Sequence, residues 1–191
     1  QLLVKNALQY LNALAAESSG DPTLQRELAT AYEKVGDVQG GFRSGSLGDT
    51  AGALDSFRKA LAIRESLLEP RPDDPDLLGE TARNHSKVGD VLVRMGQPGD
   101  AVAHSRTALQ LADRLIAVKP DDPKARFMAI ASQVDLGGNL AEAGRWQEGL
   151  AHCRLGVELA QVEARAHPEE KRMQRALALV YGRVAWILTE G

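Results

Sequence analysis

The sequence predicts an all-α solenoid of antiparallel helix pairs, about eight helices long. Three observations lead there. The segment Lys34-Val35-Gly36-Asp37-Val38 returns 53 residues later as Lys87-Val88-Gly89-Asp90-Val91, and looser copies follow after a further 48 and 45 residues, as Leu136-Gly137-Gly138-Asn139 and Tyr181-Gly182-Arg183-Val184. A boundary signal recurs in step: Asp21-Pro22, Asp74-Pro75, Asp122-Pro123 and His167-Pro168. Asp before a helix accepts a hydrogen bond from an orphan backbone N–H, and Pro at the first helical position has no N–H to leave unpaired. Between these boundaries the apolar residues keep helical spacing, and such units must stack to bury their faces.

Helices are expected over 2–18, 22–40, 50–69, 75–95, 99–118, 123–143, 146–166 and 169–189. The first aligns with the second helix of the following unit, because Ala7, Leu8 and Leu14 precede Ala60, Leu61 and Leu67 by 53 residues. It therefore reads as half a repeat (1–20). Full repeats follow over 21–73, 74–121 and 122–167, and a terminal helix over 168–191, all in one domain spanning 1–191. The helices at 22, 75 and 123 open on the Asp-Pro signal, and the last opens on His167-Pro168. In the 75–95 helix, Leu78, Ala82, His85, Val88, Leu92 and Met95 form one stripe. In the 99–118 helix, Ala101, Val102, Ser105, Ala108, Leu109, Ala112, Leu115 and Ile116 form another. Chain reversals fall at Gly96-Gln97-Pro98-Gly99 and Gly144-Arg145. Gly36 and Ala53 are 17 apart, whereas Gly89–Ala101 and Gly137–Gly149 are each 12, so five extra residues sit in the Gly40–Gly48 connection. That Gly- and Ser-rich stretch is expected to be the most mobile internal segment.

Composition agrees and excludes several functions. Hydrophobic residues are 43%, charged residues 26% and aromatics only 4%, which favours helix over sheet. A net charge of −3 lacks the basic surface of a nucleic-acid binder. The single Cys153 excludes an internal disulfide and a multi-thiolate zinc site. No apolar run approaches the ~18 residues of a membrane span, and no signal-peptide pattern opens the chain. The opening Gln-Leu-Leu-Val, without Met, reads as the start of an excised fragment.

The middle repeat resembles a tetratricopeptide unit, whose signature runs Trp, Leu-Gly, Tyr, Gly, Ala, Phe, Ala. Here His85, Val88-Gly89, Leu92, Gly96, Ala101, Ser105 and Ala108 stand at those spacings. The first repeat supplies Val35-Gly36, Ala53, Phe57 and Ala60, and the third Leu136-Gly137, Leu140, Gly144, Trp146, Gly149, Cys153 and Gly156. The resemblance implies a right-handed superhelix. The period of 45 to 53 residues exceeds the ~34 of the standard unit, so each helix is longer by a turn or two. A narrower resemblance covers the first ~70 residues. The segments Asn6-Ala7-Leu8-Gln9-Tyr10-Leu11, Leu24-Gln25-Arg26-Glu27-Leu28-Ala29, Tyr32 to Gly40 and Leu47-Gly48-Asp49-Thr50-Ala51-Gly52-Ala53-Leu54 are similar to the C-terminal region of certain bacterial serine/threonine protein kinases. In that family a kinase domain precedes a membrane segment and then the repeats. The resemblance implies a domain on the far side of the membrane from the kinase; without such a segment it would lie in the cytoplasm.

No catalytic, cofactor or metal constellation emerges. The kinase Gly-rich loop, His-Arg-Asp and Asp-Phe-Gly motifs are missing. Asp135-Leu136-Gly137 sits at the repeat's small-residue position and reads as packing. The Gly40–Gly48 stretch lacks the Lys-Ser/Thr of a phosphate loop. His152 and Cys153 are neighbours on a helix, pointing ~100° apart, so they cannot chelate one ion. Cys153 reads as a packing residue, and Tyr181 and Trp186 as packing or capping contacts.

The concave face remains. By the resemblance, the first helix of each pair lines a groove, which places Thr30, Glu33 and Asp37, then Arg83, Ser86, Asp90, Val93 and Arg94, then Ala131, Val134 and Glu142, then Ala176, Arg183 and Trp186 along it. The set is mixed in charge and lacks a dense Lys/Asn/Arg clamp for a terminal carboxylate. The expected function is an interaction module, scaffold or sensor, in cis to a bacterial kinase. Its partner would be an extended or helical protein segment, held by charge pairs over a shallow floor including Val93 and Val134, with Asp90 and Arg94 exposed. Two alternatives stand beside it: a segment joining chains through sticky ends (Leu3, Leu11, Ile187), and a small-molecule sensor.

Overall fold

The computed structural model describes residues 2–17, 20–40 and 46–190, the last by its backbone only. Among these residues the secondary structure is eight helices: α1 (Leu2–Glu17), α2 (Pro22–Gly40), α3 (Thr50–Leu68), α4 (Pro75–Arg94), α5 (Pro98–Val118), α6 (Pro123–Glu142), α7 (Trp146–Ala166) and α8 (Lys171–Glu190). The mobility expected of the Gly40–Gly48 connection falls largely on 41–45, outside the described residues. The protein is an all-α, tetratricopeptide-like solenoid.

The caps form as the residue types dictate. Asp21 Oδ1 accepts from the amides of Thr23 and Leu24 at 2.9 and 3.1 Å, Asp74 Oδ1 from Asp76 and Leu77 at 3.1 Å, and Asp122 Oδ1 from Lys124 at 2.9 Å. His167-Pro168 departs from the expectation. His167 caps the C-terminus of α7 through its own amide, and α8 begins only at Lys171. An imidazole here does not replace the short carboxylate that reaches back over two amides. α3 has its own cap, Asp49, which accepts from Gly52 N at 2.8 Å. α4 and α6 end alike. Gly96 and Gly144 take φ of 73° and 77°, and the next amides, of Gln97 and Arg145, return to the carbonyls of Leu92 and Leu140 at 2.9 and 2.8 Å. Only glycine enters this left-handed turn cheaply, so the chain reverses there into the partner helix.

α2 packs on α3, α4 on α5 and α6 on α7, while α4 also touches α6 and α6 touches α8. The first helices of successive pairs are thus neighbours, and they line an inner face. Between the layers lie the apolar stripes: Phe57, Leu61, Val88, Val91 and Leu92 in one cluster, and Leu67, Leu77, Leu78, Leu111 and Leu115 in the next. Each such large side chain contributes about 1.5–3 kcal/mol on burial. Met95, expected in the α4 stripe, lies one residue beyond the last helical turn and is exposed. The α6–α7 pair approaches closely through small residues. A Cβ on Gly137 would stand 2.5 Å from Cys153 Sγ and 2.7 Å from the Gly149 carbonyl oxygen, so small residues on both helices set their separation.

Candidate functional site

Across the inner face, long side chains from α2 and α4 form ionic rungs. Arg26 binds Glu80 (Nε 3.1 Å to both carboxylate oxygens, Nη2 2.7 Å to one). Lys87 Nζ donates to Asp37 at 2.6 and 2.7 Å and lies 2.9 Å from Glu33. Beneath them Arg64 of α3, only 1% exposed, reaches Glu33 at 2.5 Å and the amide oxygen of Asn84 at 2.7 Å. Burial pushes the Glu33 carboxyl up, but the bonds from Lys87 and Arg64 outweigh it and hold its pKa below the ordinary value. Glu33 and Asp37, expected as groove contacts, are therefore paired within the fold.

The next gap along the face is open. A cleft of about 480 Å³ lies between α4 and α6, with the start of α8 at its edge. Ala82, Phe127, Met128 and Ala131 give it an apolar lining, Ser86, Ser132 and Asp135 give it polar groups, and Arg83, Lys124 and Arg172 stand at its rim. Arg172 rests over the Phe127 ring, 5.8 Å from its centre. Among the described residues, Arg83 and Lys124 form no side-chain ion pair. The rim cations thus differ from Arg26, Arg64 and Lys87, whose charges are met.

Beside the cleft, two carboxylates and one guanidinium converge. Burial, and then the negative charge of Asp135, pushes Asp90 up to about 7, against the pull of Arg183, Arg94 and Lys87. Burial likewise raises Asp135, opposed by a hydrogen bond from Ser86 and the charge of Arg183. Arg183 reaches this pair by crossing Gly138, where a Cβ would lie 2.9 Å from its Cζ and Nε, and its guanidinium stands 5.5 Å from the Trp186 ring centre. Asp37, Asp90, Gly138 and Arg183 hold one repeat position, and the missing side chain at Gly138 lets Arg183 through.

The expected groove residues separate accordingly. Ser86, Asp90 and Arg183 come together, with Arg83 at the rim beside them and Arg94 acting on Asp90 through its charge. Three expectations need correction. Val134 is no groove floor: it is 1% exposed, packed with Ile130, Ala160 and Val180, because its side of α6 faces α7 and α8. Asp90 is half-buried rather than exposed, whereas Arg94 is exposed. Val93 packs partly against the Phe57–Val88 core. Glu142 is exposed at the far end of α6, away from the cleft. Trp186 packs with Ala141, Cys153 and Ile187, its ring 5.9 Å from Trp146. Asp135 was missed by the sequence reading, as were Phe127, Lys124 and Arg172. Asp135 shares its repeat position with Lys87, which gives no hint of a carboxylate, and the α8 start was misplaced.

Among the described residues no cluster of three metal-ligating side chains occurs, and no helix is long and apolar enough to cross a membrane. The tetratricopeptide repeat family model matches residues 41–76, from the α2–α3 connection into the first turn of α4. The chain contains a tetratricopeptide repeat region. Such repeats generally mediate protein–protein interaction or scaffolding, on a fold that is typically non-catalytic. No curated protein matches the chain.

Proposed function

We propose that this chain is a protein-interaction module whose α4–α6 cleft holds a partner segment bearing acidic groups beside an apolar side chain. The observation that carries this reading is the rim: Arg83, Lys124 and Arg172 stand beside the apolar surface of Phe127, Met128 and Ala131, and among the described residues none of the three forms a side-chain ion pair. Cations left open next to buried apolar surface favour anionic partners and set orientation more than affinity. Exposed pairs are worth only ~0.2–1 kcal/mol each, so binding is modest and weakens with salt. The test is a peptide array of acidic-apolar segments, read with the intact domain. Arg83→Glu with Arg172→Glu is expected to cut binding at least about tenfold while the melting temperature holds. Unchanged binding in that double variant, with loss on charge reversal at Arg154 of α7, overturns the cleft assignment.

The similarity of the first ~70 residues to bacterial serine/threonine kinases supports a place for this module downstream of a kinase domain and a membrane segment. The upstream coding sequence tests it. His-Arg-Asp and Asp-Phe-Gly motifs followed by an apolar span are expected, and an upstream region without them removes the kinase context but not the cleft.

A further inference from the structure

α8 carries the register of a first helix, with Gly182 at the position of Gly36, Gly89 and Gly137. α1 carries that of a second helix, with Val4 at the position of Phe57, Ser105 and Cys153. In each complete pair those two positions meet. A Cβ on Gly36 would stand 2.6 Å from the Phe57 ring, one on Gly89 3.5 Å from Ser105 Oγ, and one on Gly137 2.5 Å from Cys153 Sγ. A Cβ on Gly182 would meet nothing within 4 Å among the described residues. Among those residues α8 packs on α6 and α7, and α1 on α2, so each is half of a pair.

The two halves suit each other. The residue before the Val4 position bonds across every complete pair. Ser56 Oγ donates to Gln39 Oε1 at 2.6 Å, His104 Nδ1 lies 2.9 Å from His85 Nδ1, and His152 Nδ1 lies 2.8 Å from Gln133 Oε1. On α1 that residue is Leu3, 84% exposed. On α8 the position of His85 and Gln133 is held by Ala178, also exposed. Polar groups have thus given way to Leu on one half and Ala on the other. Leu179, 51% exposed, stands at the position of Val134, which packs 3.1 Å from where a Cβ on Gly156 would lie. Ala7 keeps α1 small at the Gly156 position.

Charge agrees with the apolar register. Glu27 of α2 holds the position of Glu80, the α4 residue that binds Arg26 of α2. Arg172 of α8 holds the position of Arg26. A helix laid beside α2 in this register therefore brings Arg172 to Glu27 as Arg26 comes to Glu80. Glu27 is exposed on a groove of about 460 Å³ along α2, and among the described residues it forms no ion pair.

We propose that a second copy of this chain docks head to tail, its α8 lying on α1 and α2 in the place of a first helix. Two half repeats then close one tetratricopeptide pair between chains. The contact uses different faces on the two copies, so each addition leaves one α1 and one α8 open and growth continues beyond a dimer.

Sedimentation equilibrium of the intact domain over a concentration series is expected to show an average mass that rises past the dimer. Leu3→Glu blocks one half and Leu179→Glu the other. Both positions are exposed, so both variants are expected to melt as the parent does and to sediment as monomers. Mixed in equal amounts they are expected to form a dimer and nothing larger, because each supplies the end that the other has lost. Glu27→Arg is expected to weaken self-association about threefold or more, and Arg172→Glu in the same chain to restore it. A parent that stays monomeric at roughly 1 mM overturns the proposal and leaves these faces to a different protein. It is equally overturned by association that stops at a dimer, by a mixture of the two leucine variants that remains monomeric, or by a charge-swapped chain that associates no better than Glu27→Arg alone.

Discussion

Asp90 shows how a single residue links the groove to stability. Folded, it keeps its proton up to about pH 7, whereas its ordinary value is 3.8. The folded state therefore binds more protons than the unfolded chain between those values, and stability falls as pH rises through that window and levels off above it. Asp90→Asn removes the charge and is expected to gain on the order of 1–3 kcal/mol near pH 8, towards the lower end because the side chain is partly solvated. Melting curves at about pH 5 and pH 8 check this; a variant whose melting temperature still falls as the parent's does would refute it. Arg64 is the opposite case. Cutting it to Ala leaves Glu33 held by Lys87 alone and the Asn84 amide oxygen without its donor, and is expected to cost about 3–5 kcal/mol in urea unfolding. At this scale the sequence was least legible. Repeat alignment gave the positions of Glu33 and Asp37 but not the basic side chains that meet them, since Arg64 comes from the other layer. It placed Val134 in the groove because a helical wheel does not say how far round the neighbouring helices wrap.

Elements were far more legible, because their ends are fixed by local chemistry. Asp-Pro starts and Gly reversals each act within a few residues, and the helices open and close where those signals stand. The failure at His167-Pro168 has the same cause, since Pro alone carries no acceptor for the orphan amides. Asp122→Ala is expected to cost about 1 kcal/mol, read by thermal melting, because the Lys124 amide loses its acceptor. The two adjacent glycines of α6 should answer differently to alanine. At Gly137 the new methyl meets the Gly149 backbone as well as Cys153, so a loss of about 1–3 kcal/mol is expected. At Gly138 it meets only the far end of Arg183, which can swing away. Gly138→Ala is expected to melt nearly as the parent does, yet to raise the Asp90 pKa further by moving away a positive charge. Carbon-13 carboxyl titration of the two proteins distinguishes that outcome from an unchanged site.

At the scale of the whole fold, among the described residues α1 packs mainly on α2, and α8 on α6 and α7. On α1, Leu2 and Leu3 are 72% and 84% exposed, and on α8 Leu179, Tyr181 and Leu188 are exposed. Leu11 and Ile187, expected to be sticky, are instead buried, at 9% and 3%. Self-association through Leu3 and Leu188 is the expected behaviour at high concentration, and Leu3→Glu with Leu188→Glu should abolish it in a sedimentation experiment. A parent that stays monomeric throughout the concentration series would reject this.

The ionic rungs carry a mechanical consequence. Arg26–Glu80 and Lys87–Asp37 strap α2 to α4 with charged pairs, whereas beside the cleft α4 and α6 are joined by the hydrogen bond from Ser86 to Asp135. Bending the coil at the first junction breaks two sets of charged bonds; bending it at the second parts the cleft and the Ser86–Asp135 hydrogen bond. The domain is thus built as a rigid arm and a softer joint. A segment wedged between α4 and α6 would act on the joint, changing the pitch of the coil and swinging α8 relative to α2. Small-angle scattering would register this as a change in the radius of gyration that high salt, by loosening the straps, should blunt.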